Sequence, residues 1–510
     1  ESWDGLHVEA RDALIACIPF RGGFNVSAAE AVVGADALRI LDILRNHSLL
    51  RTRPDAIGGA ARFDLLHSIR AFAEDNATPE ALATAARRQA THFGARAGEW
   101  LLGQHRRGGA AAARRLLQER SNLGIALSWY AKHGRALSPD AQAGDRALDL
   151  AESLLFGDRR DGDHAAREHT LGQAESAGAA GPRLKRSRAV LLLEVGRVGE
   201  ARRSVEQALR QAIGPNSEAE RTKCLLLLAR VSRRQGALAE AETCARQALA
   251  SAERIDDKRE GLGFEGELVG RSLAAIGRVH LERGDGQVAV EHLERAADAL
   301  RMSGDLPREA AVRAQLGRAY LNLHRLRDAD TAIEAALVSS QQRGATANEA
   351  QLMWLQARLY LERGDDDGAM SALRSAEAGA RSGEDTVLAM HIRLADALRH
   401  LLSGRHDRAL ARLDAALGDT THISRRQRLR RELLLAHTCA LSGDLPRAEA
   451  ACRAAQSWLS DDRDAGRWAE LALAVAALER AQAAAGADAA AADRASDRVQ
   501  RALPAANERS

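Results

Sequence analysis

Four small residues recur in register seven times between about Pro182 and Arg480, and this recurrence limits the chain to one kind of architecture. A turn residue falls at Gly196, Gly236, Gly284, His324, Gly364, Gly404 and Gly443, at spacings of 39 to 48 residues. Five residues after each turn stands an alanine: Ala201, Ala241, Ala289, Ala329, Ala369, Ala409 and Ala448. Seven further on stands another: Ala208, Ala248, Ala296, Ala336, Ala376, Ala416 and Ala455. Seven before each turn lies Ala189, Ala229, Gly277, Gly317, Ala357, Ala397 or Ala436. Antiparallel helices approach closely only where side chains are small. A glycine at the turn supplies the left-handed conformation that ends the first helix. Val205, Leu293, Ile333, Leu373 and Leu413, one turn after the first alanine, fill the space between hairpins. One hairpin cannot bury its apolar face alone, so neighbours stack.

Composition agrees. Over 510 residues, aromatics are 3% and there are 9 Pro, while Ala, Leu, Arg and Glu dominate. These are strong helix formers, and strand-favouring residues are scarce. The fold class expected is all-α with one small β-hairpin, ending in a right-handed α-solenoid. The four registered positions match the small, Gly, Ala and Ala positions of the tetratricopeptide consensus, and the resemblance covers about 300 residues. The period of about 40 exceeds the usual 34 and implies longer helices. An eighth, weaker copy is expected near Gly486 and Ala491. The organisation expected is 1–80, a helical connector over 81–180, repeats over 181–480, and an Ala-rich tail over 481–510.

The position immediately after the small residue reads Arg230, Arg278, Arg318 and Arg358 in four consecutive repeats. In the tetratricopeptide family this register faces the concave groove. An arginine ladder there suits a carboxylate, a phosphate or an acidic peptide, because guanidinium forks bind such groups in two-point fashion. The alternative is solvated arginines, two of them paired on their own helices with Glu282 and Glu362 four residues on.

The first 80 residues differ in grain. Apolar spacing runs through Leu14 to Ile18, then a Gly22-Gly23 break, then Ser27 to Glu30 in capping-box spacing for a short helix. A third helix is read over Ala37 to Leu44. Ser48–Thr52 and Ala61–Asp64 flank a loop with Pro54, Gly58 and Gly59, and a last helix begins near Leu66. Three helices, a β-hairpin and a helix make a winged-helix domain. Its eight Arg against twelve Asp or Glu give a balance of −4. The third helix carries Asp36, Arg39, Asp42 and Arg45, poor material for neutralising DNA phosphates.

Phe20-Arg21-Gly22-Gly23-Phe24, Ala28 to Val32, Ser48-Leu49-Leu50 and Arg62-Phe63 through Phe72-Ala73 resemble the winged-helix segment of bacterial STAND regulators. These are signal-transduction ATPases with an NB-ARC-type core. Glu119-Arg120-Ser121-Asn122-Leu123 with Ala126, Leu127 and Trp129 resembles the helix opening their sensor region. The resemblance implies an ATPase domain upstream, whose ADP-bound closed state the winged helix helps to hold, with ATP or ADP bound there and no cofactor in this chain. It also implies oligomerisation on activation. Relatives place a Met-His-Asp histidine near the nucleotide. The matching positions read Leu65-Leu66-His67, with the histidine shifted by one and the acid absent, so His67 is carried only as a candidate nucleotide-state contact.

Over residues 81–120 eight Arg face only Glu99 and Glu119. The cluster Arg106, Arg107, Arg114 and Arg115 is read either as a docking face for an acidic surface, such as the winged helix or the ATPase core, or as a solvated helix face. Ser138 to Asp140 and Gly157 to Asp161 read as loops. There is no Gly-x-x-x-x-Gly-Lys-Ser/Thr phosphate loop and no His-Glu-x-x-His, so no catalysis is expected. Asp256-Asp257 and Asp365-Asp366-Asp367 read as turn acids that cap helices. Cys17, Cys224, Cys244, Cys439 and Cys452 lack metal-ligand spacing and read as core thiols of a cytoplasmic protein. No apolar run is long enough to span a membrane. The chain opens on Glu1 without Met and is read as a piece of a longer protein. The expected function is the sensor half of a STAND-type regulator whose array binds a protein or small inducer. A stand-alone scaffold and a DNA-binding factor are the alternatives.

Overall fold

In a computed structural model of the chain, all residues are described except 1, 2, 4, 56, 58–60, 105–108, 138–141, 158–163, 215–216, 256–264, 342–345, 383–384, 417–424, 460–464 and 485–510. Gly58, Gly59, Arg106, Arg107, Ser138 to Asp140, Asp158 to Asp161, Asp256, Asp257, Gly486 and Ala491 therefore lie outside the described residues. The chain divides into two compact units, Glu1–Leu227 and Leu228–Ser510.

The first unit opens with α1 (Val8–Ala16), β1 (Phe24–Asn25), α2 (Val26–Val33), α3 (Ala37–Asn46), β2 (Arg51–Pro54), β3 (Ala61–Asp64) and α4 (His67–Asp75). The strands form one antiparallel sheet in the order β1-β3-β2, with Phe24 opposite Phe63 and Thr52 opposite Phe63 on its other side. Three details depart from the sequence reading. A third strand, β1, joins the hairpin, and Pro54 belongs to β2 instead of its loop. The Ser27–Glu30 capping box does not form. Asn25 leaves β1 with extended backbone and is itself the N-cap, its Oδ1 accepting from the Ala28 N–H at 2.9 Å, so the helix starts before Ser27 can cap it.

Helices α5 (Pro79–Gly103), α6 (Gly109–Gln118), α7 (Arg120–His133), α8 (Gln142–Gly157) and α9 (His164–Ser176) follow. Thr78 caps α5 through the Ala81 N–H, and Pro79 occupies the first turn, where its missing N–H costs nothing. One continuous apolar core runs from Leu6 to Leu191 and joins the first 80 residues to these helices. At its centre Phe20 stacks on Phe24, with ring centroids 4.3 Å apart, and meets the edge of Phe93 from α5 at 6.3 Å.

The hairpins are α10 (Gly181–Glu194) with α11 (Val198–Gln211), α12 (Glu218–Arg234) with α13 (Leu238–Ala252), and α14 (Glu265–Arg283) with α15 (Gly286–Ser303). Then come α16 (Leu306–Asn322) with α17 (Leu326–Gln341), α18 (Thr346–Glu362) with α19 (Asp366–Ser382), α20 (Thr386–Leu402) with α21 (His406–Ala415), α22 (Arg425–Ser442) with α23 (Leu445–Leu459), and a final α24 (Ala465–Ala484). All seven turn residues are left-handed, with φ between 54° and 97°. The next N–H in each case (Arg197, Ala237, Asp285, Arg325, Asp365, Arg405 and Asp444) donates to the carbonyl five residues back at 2.8–3.0 Å. This is the same two-residue helix stop repeated seven times.

The registered alanines are consumed by packing. Ala201, Ala241, Ala289, Ala329, Ala369, Ala409 and Ala448 are all 0% exposed, and Val205, Leu293, Ile333, Leu373 and Leu413 are buried beside them. Where the repeat has glycine in place of alanine, contact is closer still. A Cβ at Gly277 would lie 2.7 Å from Leu293 Cγ, and one at Gly317 would lie 2.6 Å from Ile333 Cγ1. The architecture is the all-helical repeat array expected. All five cysteines are buried and none forms a disulfide, and burial pushes the Cys17 and Cys224 thiols up to about 12. Among the described residues, no helix is long and apolar enough to cross a membrane.

Candidate functional site

Consecutive first helices of the second unit touch edge to edge, leaving a wall of side chains in one register. Glu282 on α14 pairs with Arg233 on α12. Asn322 on α16 lies 3.5 Å from Arg358 Nη2 on α18. His391 on α20 stacks on Trp354 of α18 at 4.9 Å, and its Nε2 is 2.8 Å from Gln427 Nε2 on α22. Six first helices thus contribute to one surface.

The four predicted arginines all lie on this surface, but their settings differ. Arg230 and Arg278 are exposed, Arg318 is half-buried and Arg358 is buried. Arg278 donates Nε to the Ala274 carbonyl at 3.2 Å, and among the described residues no carboxylate lies within ion-pair distance of it. Crowding by protein and then repulsion from Arg233, Arg230 and Arg271 push its guanidinium down to about 10. Water reaches Arg278 and tempers that repulsion, yet guanidinium groups still converge on it. Glu282, read from sequence as its own-helix partner, pairs instead with Arg233 across to the neighbouring helix. Arg358 sits over the Trp354 ring, 5.6 Å from its centroid.

Around the convergence the wall is knit by ion pairs. Arg271 bonds Glu267 at 3.1 Å, and Arg308 of α16 bonds the same carboxylate at 2.6 Å. Sequence reasoning missed Trp354 and His391, since a lone aromatic and a lone histidine on different helices carry no spacing signal. It also missed Arg271, seven residues before Arg278 and on the same helix face. Asp365 accepts from the Gly368 N–H at 2.8 Å, the capping expected of it, and Asp366 takes Arg405 at 3.1 Å.

His67 is the exposed first residue of α4, whose N-cap, Leu66, makes no side-chain cap. In the basic connector, Arg114 is exposed, while Arg115 bonds Asp55 of the β2–β3 loop at 2.8 Å. That segment therefore does dock an acid of the first 80 residues. The stronger tie went unpredicted. Arg62 of β3 and Glu119, just before α7, form a two-point ion pair whose second bond is 2.9 Å. Asn122 closes it by donating to Glu119 at 2.7 Å and to the Gly23 carbonyl at 2.9 Å. Among the described residues, no group of three or more His, Cys, Asp or Glu side chains is placed to hold a metal ion.

The fold places the chain in the class of tetratricopeptide-type helical repeat proteins. No family model matches the sequence, and no curated protein does. Among solved structures it is similar to a STAND protein with a tetratricopeptide repeat sensor from Pyrococcus horikoshii, at 13% identity and a TM-score of 0.53, over 90% of this chain and 64% of that one. The chain thus spans less than two thirds of that protein. A Rap protein complexed with competence and sporulation factor aligns with 72% of this chain and 98% of its own, at 16% identity and a TM-score of 0.47. A tetratricopeptide repeat protein from Parabacteroides merdae aligns with 58% of this chain and 98% of its own, at 17% identity and 0.39. At these identities the likeness is one of fold.

Proposed function

We propose that the chain is the sensor and transmission part of a STAND-type regulator, and that its array binds a protein or peptide partner along the first-helix wall. The observation carrying this reading is the arginine register. Arg230, Arg278, Arg318 and Arg358 stand at equivalent places on four consecutive first helices, and the guanidinium groups of Arg233, Arg230 and Arg271 repel that of Arg278. Small residues are used up in helix packing, so the wall is what the array offers a partner. The partner's acids would offset guanidinium charges that now repel one another.

The first 80 residues would act as a winged-helix relay. The order helix, strand, two helices, two strands and the β1-β3-β2 sheet support that assignment. Its α3 is ill suited to DNA, because Arg39 bonds Glu9 at 3.2 Å and Arg45 bonds Asp42 at 2.5 Å. A role in packing on another protein domain, an upstream nucleotide switch in this reading, fits better. No catalytic role is assigned to this chain, and nucleotide would bind upstream of it. For the array to drive such a switch, its ligand must prefer one of two arrangements.

The test is retention of partners from lysate by the whole chain, compared with Arg278→Ala/Arg318→Ala of unchanged helicity and melting. A partner held by the parent and released from the variant supports the reading. Undiminished retention by the folded variant ends it.

A further inference from the structure

Histidine stands four residues before the turn residue in two of the seven hairpins, at His280 and His400. Both are buried, 7% and 6% exposed. In the Gly284 turn the next residue is an acid, and Asp285 Oδ2 lies 3.0 Å from His280 Nδ1. In the Gly404 turn that place holds Arg405. Among the described residues His400 Nδ1 has no hydrogen-bond partner, and it is closed to water.

The proton on that nitrogen is fixed by a neighbour. Arg399 Nη2 lies 3.2 Å from His400 Nε2, and a guanidinium only donates, so Nε2 accepts and Nδ1 carries the hydrogen of the neutral ring. Burial holds the ring below the ordinary imidazole value, and the charges of Arg399, Arg405 and Arg408 act in the same sense, against Asp396. The neutral ring is therefore favoured, and its buried N–H is left without an acceptor, a costly arrangement.

The same missing acid leaves a helix end without its cap. After the Gly364 and Gly443 turns, Asp365 and Asp444 accept from the Gly368 and Arg447 N–H groups at 2.8 and 3.3 Å and so cap the second helices. Arg405 is the N-cap of α21, a helix of 10 residues, and makes no side-chain cap. Cations gather at this turn. Asp366 and Asp396 are each held by two arginines, Arg399 and Arg405 on the first and Arg399 and Arg412 on the second. Arg408 forms no ion pair among the described residues, and the exposed Asp407 is the acid of the first turn. Arg405 Nε, like His400 Nδ1, is closed to water without a partner.

We infer that the Gly404 turn is an oxyanion site, where a phosphate or carboxylate group takes the place that the Asp285 carboxylate fills in its own turn. The anion accepts from His400 Nδ1–H and from the first N–H groups of α21, and Arg405 closes on it from outside. Arg405 makes that move at little cost, because its pair with Asp366 is 37% and 46% exposed and Asp366 keeps Arg399. The site lies at the turn end of one hairpin and does not depend on what the first-helix wall binds.

The experiment follows hydrogen exchange over residues 400–410 of the full chain while inorganic phosphate or acetate is titrated, with chloride holding the ionic strength constant. Either anion is expected to slow exchange at Asp407 and Arg408 saturably, by about threefold or more at the plateau. The anion with the lower midpoint names the group. Arg405→Asp supplies the carboxylate within the chain, so it should slow the same amides with no anion present and abolish the response. Arg405→Ala keeps the histidine and helix donors without the guanidinium and should raise the midpoint by about fivefold or more. A slowing that never saturates identifies an adventitious ion only and overturns the inference. So does a full response in Arg405→Asp, an unchanged midpoint in Arg405→Ala, or no response of the parent to either anion. None of these results bears on the arginine register of the wall.

Discussion

Arg62 and Glu119 face each other across the junction of β3 and α7 as a two-point ion pair, their side chains only 7% and 3% exposed. Neither partner can find water if the other is removed. Arg62→Ala should therefore cost the first unit about 3–5 kcal/mol, read as an earlier urea transition and faster hydrogen exchange at Phe24 and Phe63. Arg62→Met/Glu119→Leu should recover at least half of that, since two apolar groups leave no buried charge. A single substitution that leaves the transition in place would mean the pair is open to solvent.

Acid should loosen the first unit through Glu152. Burial by itself would raise this carboxyl, but the charges of Arg183 and Arg186, with hydrogen bonds from Arg183 and Ser187, hold it down at about 2. A folded-state value below the unfolded one gives stability that is complete above about pH 4.5 and is lost as pH falls toward 2. Neighbouring Asp149 moves the other way: desolvation raises it, so it takes up a proton earlier in the same descent. Unfolding free energy should fall across that window in the parent, and Glu152→Gln should flatten the slope. An identical slope in the variant would remove Glu152 from the account.

Overpacking should discriminate between alanines. Ala289 is 0% exposed, whereas Ala311 on α16 is exposed. Ala289→Leu should destabilise the array by about 1–3 kcal/mol or more, and Ala311→Leu should stay within about 0.5 kcal/mol. Thermal melts of both variants make the comparison, and equal shifts would contradict the stacking.

His324 is the non-glycine member of the seven turns and holds φ at 54°. A left-handed residue with a Cβ costs roughly 1–2 kcal/mol, and the side chain returns little, since its contact with Glu362 at 3.4 Å is exposed on the histidine side. His324→Gly should raise the melting temperature by a few degrees. No rise would imply that the unfolded chain's gain in freedom cancels the relief of strain.

The repeats were legible because helix-against-helix packing imposes a residue type at a fixed spacing, and the Gly404 turn or the Ala241 contact needs only local sequence to be seen. What stayed hidden is set across the chain. Strand β1 is two residues long and exists through Phe24 pairing with Phe63. The helix after it starts at Val26 because that strand ends at Asn25, which local capping spacing at Ser27 could not anticipate. Glu282 pairs with Arg233 on a neighbouring first helix, a partner that no single-helix pattern can reveal. The candidate site was half legible for the same reason: the arginine register could be read, but its focus on Arg278 and the stacking of Trp354 on His391 could not.

Thiol labelling tests the division between packed and presented positions most directly. Cysteine is introduced separately as Ala241→Cys, Ala289→Cys, Ala369→Cys and Arg278→Cys, over a background of five buried native thiols. The wall account predicts maleimide reaction at position 278 at nearly the unfolded rate and, at the three alanine sites, only as fast as the array opens. Rapid labelling at Ala289 or Ala369 in the folded chain, or protection at Arg278 without any ligand, would contradict it.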